Sequence, residues 1–286
     1  MFPMIEVVQT VSKMHQVADR LRMAGQRIGL VPTMGYLHEG HLSLISRAIQ
    51  LSDRVVVSIF VNPIQFGPND DLSAYPRDLD RDLALIEEFG AHLAYVPDAE
   101  QMYPAGYATH VDVEGLTDHL CGLSRPGHFK GVTTVVAKLF AAVKPHVAVF
   151  GQKDAQQVLV IQRMVRDLNL DVDVVASPTI REPDGLAKSS RNVYLTPEER
   201  EQAPVLYRAL ERGKQLIEEG HRSAHHVVRE MRAIITRAPH ATIEYLEAVD
   251  MEGLAPRPHL SGRILLAGAV LFGKARLIDN ISVDVP

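Results

Sequence analysis

Short apolar runs rich in β-branched residues alternate with amphipathic helical patterns over roughly the first 175 residues, and no other feature restricts the fold as much. The runs lie at residues 28–31, 55–61, 93–96, 147–150 and 172–176, each short enough for a strand buried on both faces. Leu42, Ile45, Ala48 and Ile49 recur at helical spacing after the first run, and Leu79, Leu83, Ile86 and Phe89 after the second. Two further helical faces follow, one from Val132, Val135, Val136, Leu139 and Phe140, the other from Val158, Ile161, Val165 and Leu168. Such alternation predicts an α/β fold, a parallel sheet covered by helices, with ligands bound at the carboxyl ends of the strands.

Beyond residue 179 the pattern changes. A polar loop runs to residue 195, followed by charged helical segments near 197–220 and 221–238, then the strand-like TIEYLEAVD and GRILLAGAVLFGKARLIDNISVDV. These predict a smaller C-terminal α+β domain, with residues 1–178 as the first domain and 179–286 as the second. At 286 residues, 46% hydrophobic and 23% charged, the chain can bury a core without metal or disulfide. Its single cysteine, Cys121, cannot pair internally. A net charge of −5 argues against a general nucleic-acid partner and points to a small molecule or a second copy of the chain. No run of 18 uninterrupted apolar residues occurs and the start lacks a secretory pattern, so no membrane partner and a cytoplasmic location are expected.

Four polar motifs fall where strands hand over to other elements. IGLVPTMGYLHEGHLSLISRA places His38 and His41 three residues apart at a helix start, between Gly35 and Gly40. Unpaired N–H groups and the positive helix end there suit phosphate oxygens, and glycines let a ligand approach the backbone. The i,i+3 spacing differs from the i,i+4 of a zinc protease helix and no third ligand is evident, so no metal site is expected. VVVSIFV runs into NPIQFGPNDD, bringing the neutral amides of Asn62 and Gln65 to a strand end, where they can orient hydroxyls and carboxylates. VAVFGQKDAQQVL repeats the design, with Gly151, then Lys153, Asp154 and Gln157 opening a helix. TIREPDGLAKSSRNVYLTPEER reads as a loop between the domains in which Lys188 and Arg191 bracket Ser189 and Ser190, a cationic, hydroxyl-bearing segment suited to a triphosphate.

Taken together, the four runs resemble the pantoate–β-alanine ligases, in the superfamily that shares its catalytic fold with class I aminoacyl-tRNA synthetases and nucleotidylyltransferases. TMGYLHEGH looks like the HIGH-type signature and GLAKSSRN like the KMSKS-type loop, and SRPGHFKGVTTVVAKLF extends the likeness, which covers most of residues 30–200. The resemblance implies a Rossmann-like sheet with helices on both faces and a C-terminal lid. It places Met34, Gly35, His38, Gly40 and His41 along ATP, with His41 as proton donor and His38 as phosphate partner. Gly151, Lys153, Asp154, Ile180, Lys188, Ser189, Ser190 and Arg191 complete that site. Gln65 and Gln157 hold pantoate, with Gln65 also near β-alanine. Lys153, Arg191 and the two histidines stabilise charge as pantoate and ATP form pantoyl adenylate, which β-alanine then converts to pantothenate and AMP. Mg²⁺ accompanies the triphosphate, and a homodimer is implied. The family usually has Met where this chain has Lys188, so that contact carries over less directly. A nucleotidylyltransferase acting on a small phosphorylated acceptor fits the histidine pair equally well. Against it stand the neutral Asn62, Gln65 and Gln157, since a phosphorylated acceptor calls for additional Arg or Lys. An RNA-binding relative of a synthetase is the third reading, weakened by the acidic balance and the absence of tryptophan.

Overall fold

The computed structural model describes residues 5–68 and 72–285, so residues 69–71 of the run NPIQFGPNDD fall outside it. The chain divides into two compact units. Met1–Val113, Arg125–Gln152 and Gln157–Pro178 form the first, and Glu114–Ser124, Lys153–Gln156 and Thr179–Pro286 the second.

The first unit contains β1 (Glu6–Val8), α1 (Val11–Met23), β2 (Ile28–Thr33), α2 (Glu39–Leu51), β3 (Arg54–Ile59), α3 (Leu79–Glu88), β4 (Leu93–Tyr95) and α4 (Ala99–Met102). After α5 (Leu120–Ser124), which belongs to the second unit, come α6 (His128–Val143), β5 (Val147–Gly151), α7 (Ala155–Asp167) and β6 (Asp173–Ser177). The strands form one six-stranded parallel sheet in the order β1-β4-β3-β2-β5-β6. Val31, Val55, Val57, Ala94 and Val149 share a core with Leu42, Ile45 and Ala48 of α2 and with Ile86 of α3. Ile28, Leu30 and Val56 are equally buried and, by the two-residue period of a strand, face the other way, where α1 and α6 pack on β2 and on each other. Helices therefore cover both faces. All five apolar runs form strands, and β1 joins them at the sheet edge; three residues with one charge carry no periodic signal.

Two ladders meet on β2 and differ in length. Its pairing with β3 extends from Ile28↔Arg54 to Thr33↔Ile59, whereas the rungs with β5 are Gly29↔Val147 and Leu30↔Ala148. Past Leu30, β2 and β5 no longer share a ladder, and Pro32, which cannot donate to one, lies beyond that last rung. The strand order also reverses between β2 and β5, which makes their carboxyl ends the place where sheets of this kind bind ligands.

The second unit carries α5, α8 (Pro197–Gln202), α9 (Val205–Glu218) and α10 (Ala224–Ile235), with β7 (Ala241–Asp250), β8 (Gly262–Phe272) and β9 (Ala275–Val285) as an antiparallel sheet in sequence order. The long apolar C-terminal run is thus a hairpin of two strands. Leu206 and Leu210 of α9, Val227 and Met231 of α10, and Leu266 and Phe272 of β8 form its core. Gln156 pins the segment around α5: its amide donates to the carbonyls of Leu116 and His119, both at 2.8 Å, and accepts from the Cys121 N–H at 3.0 Å.

Candidate active site at the sheet's switch point

The turn after β2 is held from beneath by a carboxylate that the sequence motifs do not include. Asp82 of α3, only 1% exposed, accepts the Tyr36 and Leu37 N–H groups at 2.6 and 2.8 Å. Burial raises its carboxyl above the ordinary range, and these two donors and Arg81 oppose that shift. The Gly35 N–H donates to Thr33 Oγ1 at 3.2 Å, fixing the first bend of the turn to the strand it leaves.

His38 is the N-cap of α2, a position usually taken by Ser, Thr, Asp or Asn. Its Nδ1 accepts the Gly40 N–H at 3.1 Å, and His41 Nδ1 accepts the His38 N–H at 3.3 Å. A ring nitrogen that accepts carries no proton, so in the neutral state both imidazoles hold theirs on Nε2. The rings lie 4.1 Å apart between centroids. Gly40 is required by the cap itself, because a Cβ there would stand 2.7 Å from His38 Cε1. Two Nε2–H donors at the positive end of a helix form an anion-binding arrangement.

Beyond β3 a 3₁₀ turn, Pro63–Gln65, carries the second motif. Asn62 is 1% exposed and Gln65 is buried. Asn62 Nδ2 donates to Gln65 Oε1 at 3.0 Å and to the Gly131 carbonyl at 3.1 Å, while Gln65 Nε2 lies 3.1 Å from Met34 Sδ. His128 Nδ1 lies 2.8 Å from the Gln65 carbonyl, which can only accept, so the ring donates through Nδ1. The start of the histidine motif and the amide pair, 28 or more positions apart in the chain, thus meet through Met34 and Gln65. Gly131 of α6 allows this: a Cβ there would approach Gln65 Cα and the Ile64 carbonyl oxygen to 2.5 Å each. Gly151 ends β5 half-buried, and Gln157, also half-buried, is the third residue of α7.

The remaining candidates belong to the second unit. Lys153 and Asp154 sit in a 3₁₀ turn, Gln152–Asp154, ahead of α7, where a helix start was expected, with their charged groups 4.0 Å apart. The Lys153 carbonyl accepts from Asn280 Nδ2 at 2.8 Å. The expected polar loop is folded: Arg181 bridges to Ala187, and Ser190–Tyr194 forms a 3₁₀ turn whose cap is Ser189, its Oγ accepting the Arg191 N–H at 3.2 Å. Residues 188–191 lie within the second unit. The Ile180 carbonyl accepts the Lys188 N–H at 2.9 Å, and Lys188 Nζ lies 3.3 Å from Glu182 Oε1. Ser190 is buried. Arg181 forks onto the buried Asp279, with Nη2 at 2.9 Å from Oδ1, and stacks on Tyr207 at 4.0 Å. Lys153, Ser189, Asn192, Tyr207 and Asp279 line one small cleft.

Asp82 and Tyr103, whose hydroxyl donates to Asn62 Oδ1 at 2.6 Å, support the site from outside every motif, while His128 and Gly131 lie in SRPGHFKGVTTVVAKLF without having been singled out. The signal available for Gly131 was a glycine inside an otherwise apolar helix, which costs stability unless something packs against it. Among the described residues no group of three or more His, Cys, Asp or Glu is placed to hold a metal, and no helix is long and apolar enough to cross a membrane.

A doubly wound parallel sheet with a histidine-capped helix at its switch point defines a nucleotide-binding α/β protein. A family model described as pantoate-beta-alanine ligase matches residues 6–282. The pantothenate synthetase of Moorella thermoacetica is 55% identical over 281 residues, covering 98% of this chain and 99% of that protein. That of Acetivibrio thermocellus is 51% identical, covering 98% and 100%. The crystal structure of the Thermus thermophilus pantothenate synthetase superposes with a TM-score of 0.92 at 49% identity, covering 97% of this chain and 99% of the other. The pantoate-beta-alanine ligase of Francisella tularensis, solved with β,γ-ATP and β-alanine, gives 0.80 at 34% identity, with 97% of each covered. The chain belongs to the pantoate–β-alanine ligase family, and its activity is the ATP-dependent condensation of pantoate with β-alanine. The nucleotidylyltransferase and RNA-binding readings are set aside on this match.

Proposed function

We propose that the condensation runs in two steps and that the residues read from the sequence divide the work between them. In the first, the pantoate carboxylate attacks the α-phosphorus of ATP, the bond to the β-phosphate oxygen breaks, and pantoyl adenylate and pyrophosphate form. In the second, the amine of β-alanine attacks the activated carbonyl, AMP leaves, and pantothenate is released. The observation that carries this reading is the pair of imidazoles at the start of α2, both accepting through Nδ1 and so holding an Nε2–H for phosphate oxygens. His41 is the proton donor and His38 the phosphate partner. Lys153 and Arg191 offset the charge that grows on the leaving pyrophosphate. Met34, Gly35, Gly40, Gly151, Asp154, Ile180, Lys188, Ser189 and Ser190 line ATP, while Asn62, Gln65 and Gln157 hold pantoate. Mg²⁺ enters with the triphosphate, bound by its oxygens and by water. No described cluster of side chains fits it as a resident ion, so no step is assigned to it. We also infer a homodimer in the cytoplasm.

Exchange of labelled pyrophosphate into ATP tests the order of events. It should require pantoate and Mg²⁺ and proceed without β-alanine, because the adenylate precedes the amine. Exchange that appears only with β-alanine rules out the two-step scheme.

Lys188 tests the one departure from the family pattern. Its ammonium is already matched by Glu182 at 3.3 Å in a pair that is only partly exposed. Lys188→Met is therefore expected to leave kcat/KM for ATP within about fivefold, equivalent to roughly 1 kcal/mol. Steady-state kinetics at saturating pantoate and Mg²⁺ decide: a loss of a hundredfold or more assigns Lys188 to the phosphates instead.

A further inference from the structure

Asn62 and Gln65 can each be turned end for end without a change of shape, so something must decide which end of Gln65 meets the substrate. The Gly131 carbonyl can only accept, and it lies 3.1 Å from Asn62 Nδ2, so the nitrogen of that amide faces α6. The second hydrogen of the same nitrogen goes to Gln65 at 3.0 Å, which requires Gln65 to turn its oxygen inward. Its NH₂ is left against Met34 Sδ at 3.1 Å, a weak acceptor that a substrate oxygen readily outcompetes. Asn62 Oδ1 then faces the hydroxyl of Tyr103 at 2.6 Å, and because that oxygen can only accept, the phenol donates. Tyr103→Asn62→Gln65 is thus a directed chain of donors.

We propose that Tyr103 is a positioning residue for pantoate: its hydroxyl holds Asn62, and through it Gln65, so that the site offers an N–H donor to a substrate carboxylate or hydroxyl oxygen. This rests on the assignment of Gln65 to pantoate. Burial raises the Tyr103 phenol well above its usual range and keeps it a neutral donor. With the hydroxyl gone, Asn62 Oδ1 would be a buried acceptor without that donor, and flipping the amide would set oxygen against the Gly131 carbonyl. The ring itself has other work, lying 5.7 Å from Lys138 Nζ and edge-on to Tyr107 at 5.0 Å. Phenylalanine preserves that packing, so Tyr103→Phe isolates the hydroxyl.

The test measures KM for pantoate and for ATP in Tyr103→Phe, Asn62→Ala and the double variant. We expect Tyr103→Phe to raise KM for pantoate about five- to tenfold, the order of one buried hydrogen bond, and to leave KM for ATP within about twofold. In the Asn62→Ala background the same substitution should add less than about twofold, because the hydroxyl acts through that amide. An unchanged KM for pantoate, or a full effect that persists without Asn62, overturns the proposal, as does equal weakening of both substrates. Gln65→Ala in the same assay separates the two failures: an unchanged KM for pantoate there removes the assignment of Gln65, while a raised KM there with an unaffected Tyr103→Phe removes only the role given to Tyr103.

Discussion

His41→Ala should lower kcat for adenylate formation by about 10²–10³, the usual loss when one preorganised donor to a charge-gaining oxygen is removed. The expectation follows from where the ring stands and which nitrogen it offers. His41 accepts the His38 N–H through Nδ1 at 3.3 Å, leaving Nε2 as the protonated atom at the positive end of α2. Alanine keeps the helix, since the backbone bond from the His41 N–H to the His38 carbonyl at 2.8 Å does not involve the side chain. Folding should survive with the loss of one capping contact, about 1 kcal/mol. Single-turnover formation of the adenylate, alongside thermal unfolding, separates the two effects. Near-normal kcat in a folded His41→Ala protein would return that histidine to a purely capping role.

Gly131→Ala should destabilise the first unit and weaken pantoate binding together. On an exposed helix the change from Gly to Ala is favourable by about 1 kcal/mol. Here the new Cβ would sit 2.5 Å from Gln65 Cα and from the Ile64 carbonyl oxygen, and 2.7 Å from the Gln65 nitrogen, all backbone atoms that cannot rotate aside. Overpacking of this kind costs about 1–3 kcal/mol. The sign therefore reverses, and either α6 or the Pro63–Gln65 turn must move. Such a shift strains the bond from Asn62 Nδ2 to the Gly131 carbonyl and carries Gln65 with it. We expect KM for pantoate to rise about tenfold to a hundredfold, corresponding to one or two lost hydrogen bonds, with a fall of several degrees in Tm. Calorimetric titration of pantoate and ATP into the variant checks the asymmetry. A more stable protein with unchanged pantoate affinity would mean that α6 and the turn can separate freely.

Much of the architecture was legible because parallel strands buried on both faces leave unbroken apolar runs, and the helices between them leave a 3.6-residue period. Those two signatures located β2 to β6 and the helices α2, α3, α6 and α7, and the paired histidines marked the switch-point helix. The strand β1 was invisible, since three residues at an edge have no period to display. The cationic loop read as an open connection because Pro183, Asp184 and Gly185 are turn formers in any setting. Its compactness depends on the ladder between Arg181 and Ala187 and on the ion pair from Arg181 to Asp279, a partner 98 residues away.

The chemistry of the site followed a similar division. Residue type and order alone determined that a pair of imidazoles, neutral amides and two cationic segments stand at strand ends, because strand ends are where a helix or turn takes over and the motif residues sit in those few positions. Direction was decided by the tertiary structure alone. Which nitrogen of His38 and His41 carries the proton depends on backbone N–H groups that reach Nδ1 only once α2 has formed. Which end of Gln65 faces outward depends on the carbonyl of Gly131 and the hydroxyl of Tyr103, 66 and 38 residues further along the chain. A hydrogen bond has a donor end and an acceptor end, and a sequence lists the groups without stating which meets which. Only a packed interior, where each buried polar atom must find its opposite, assigns them.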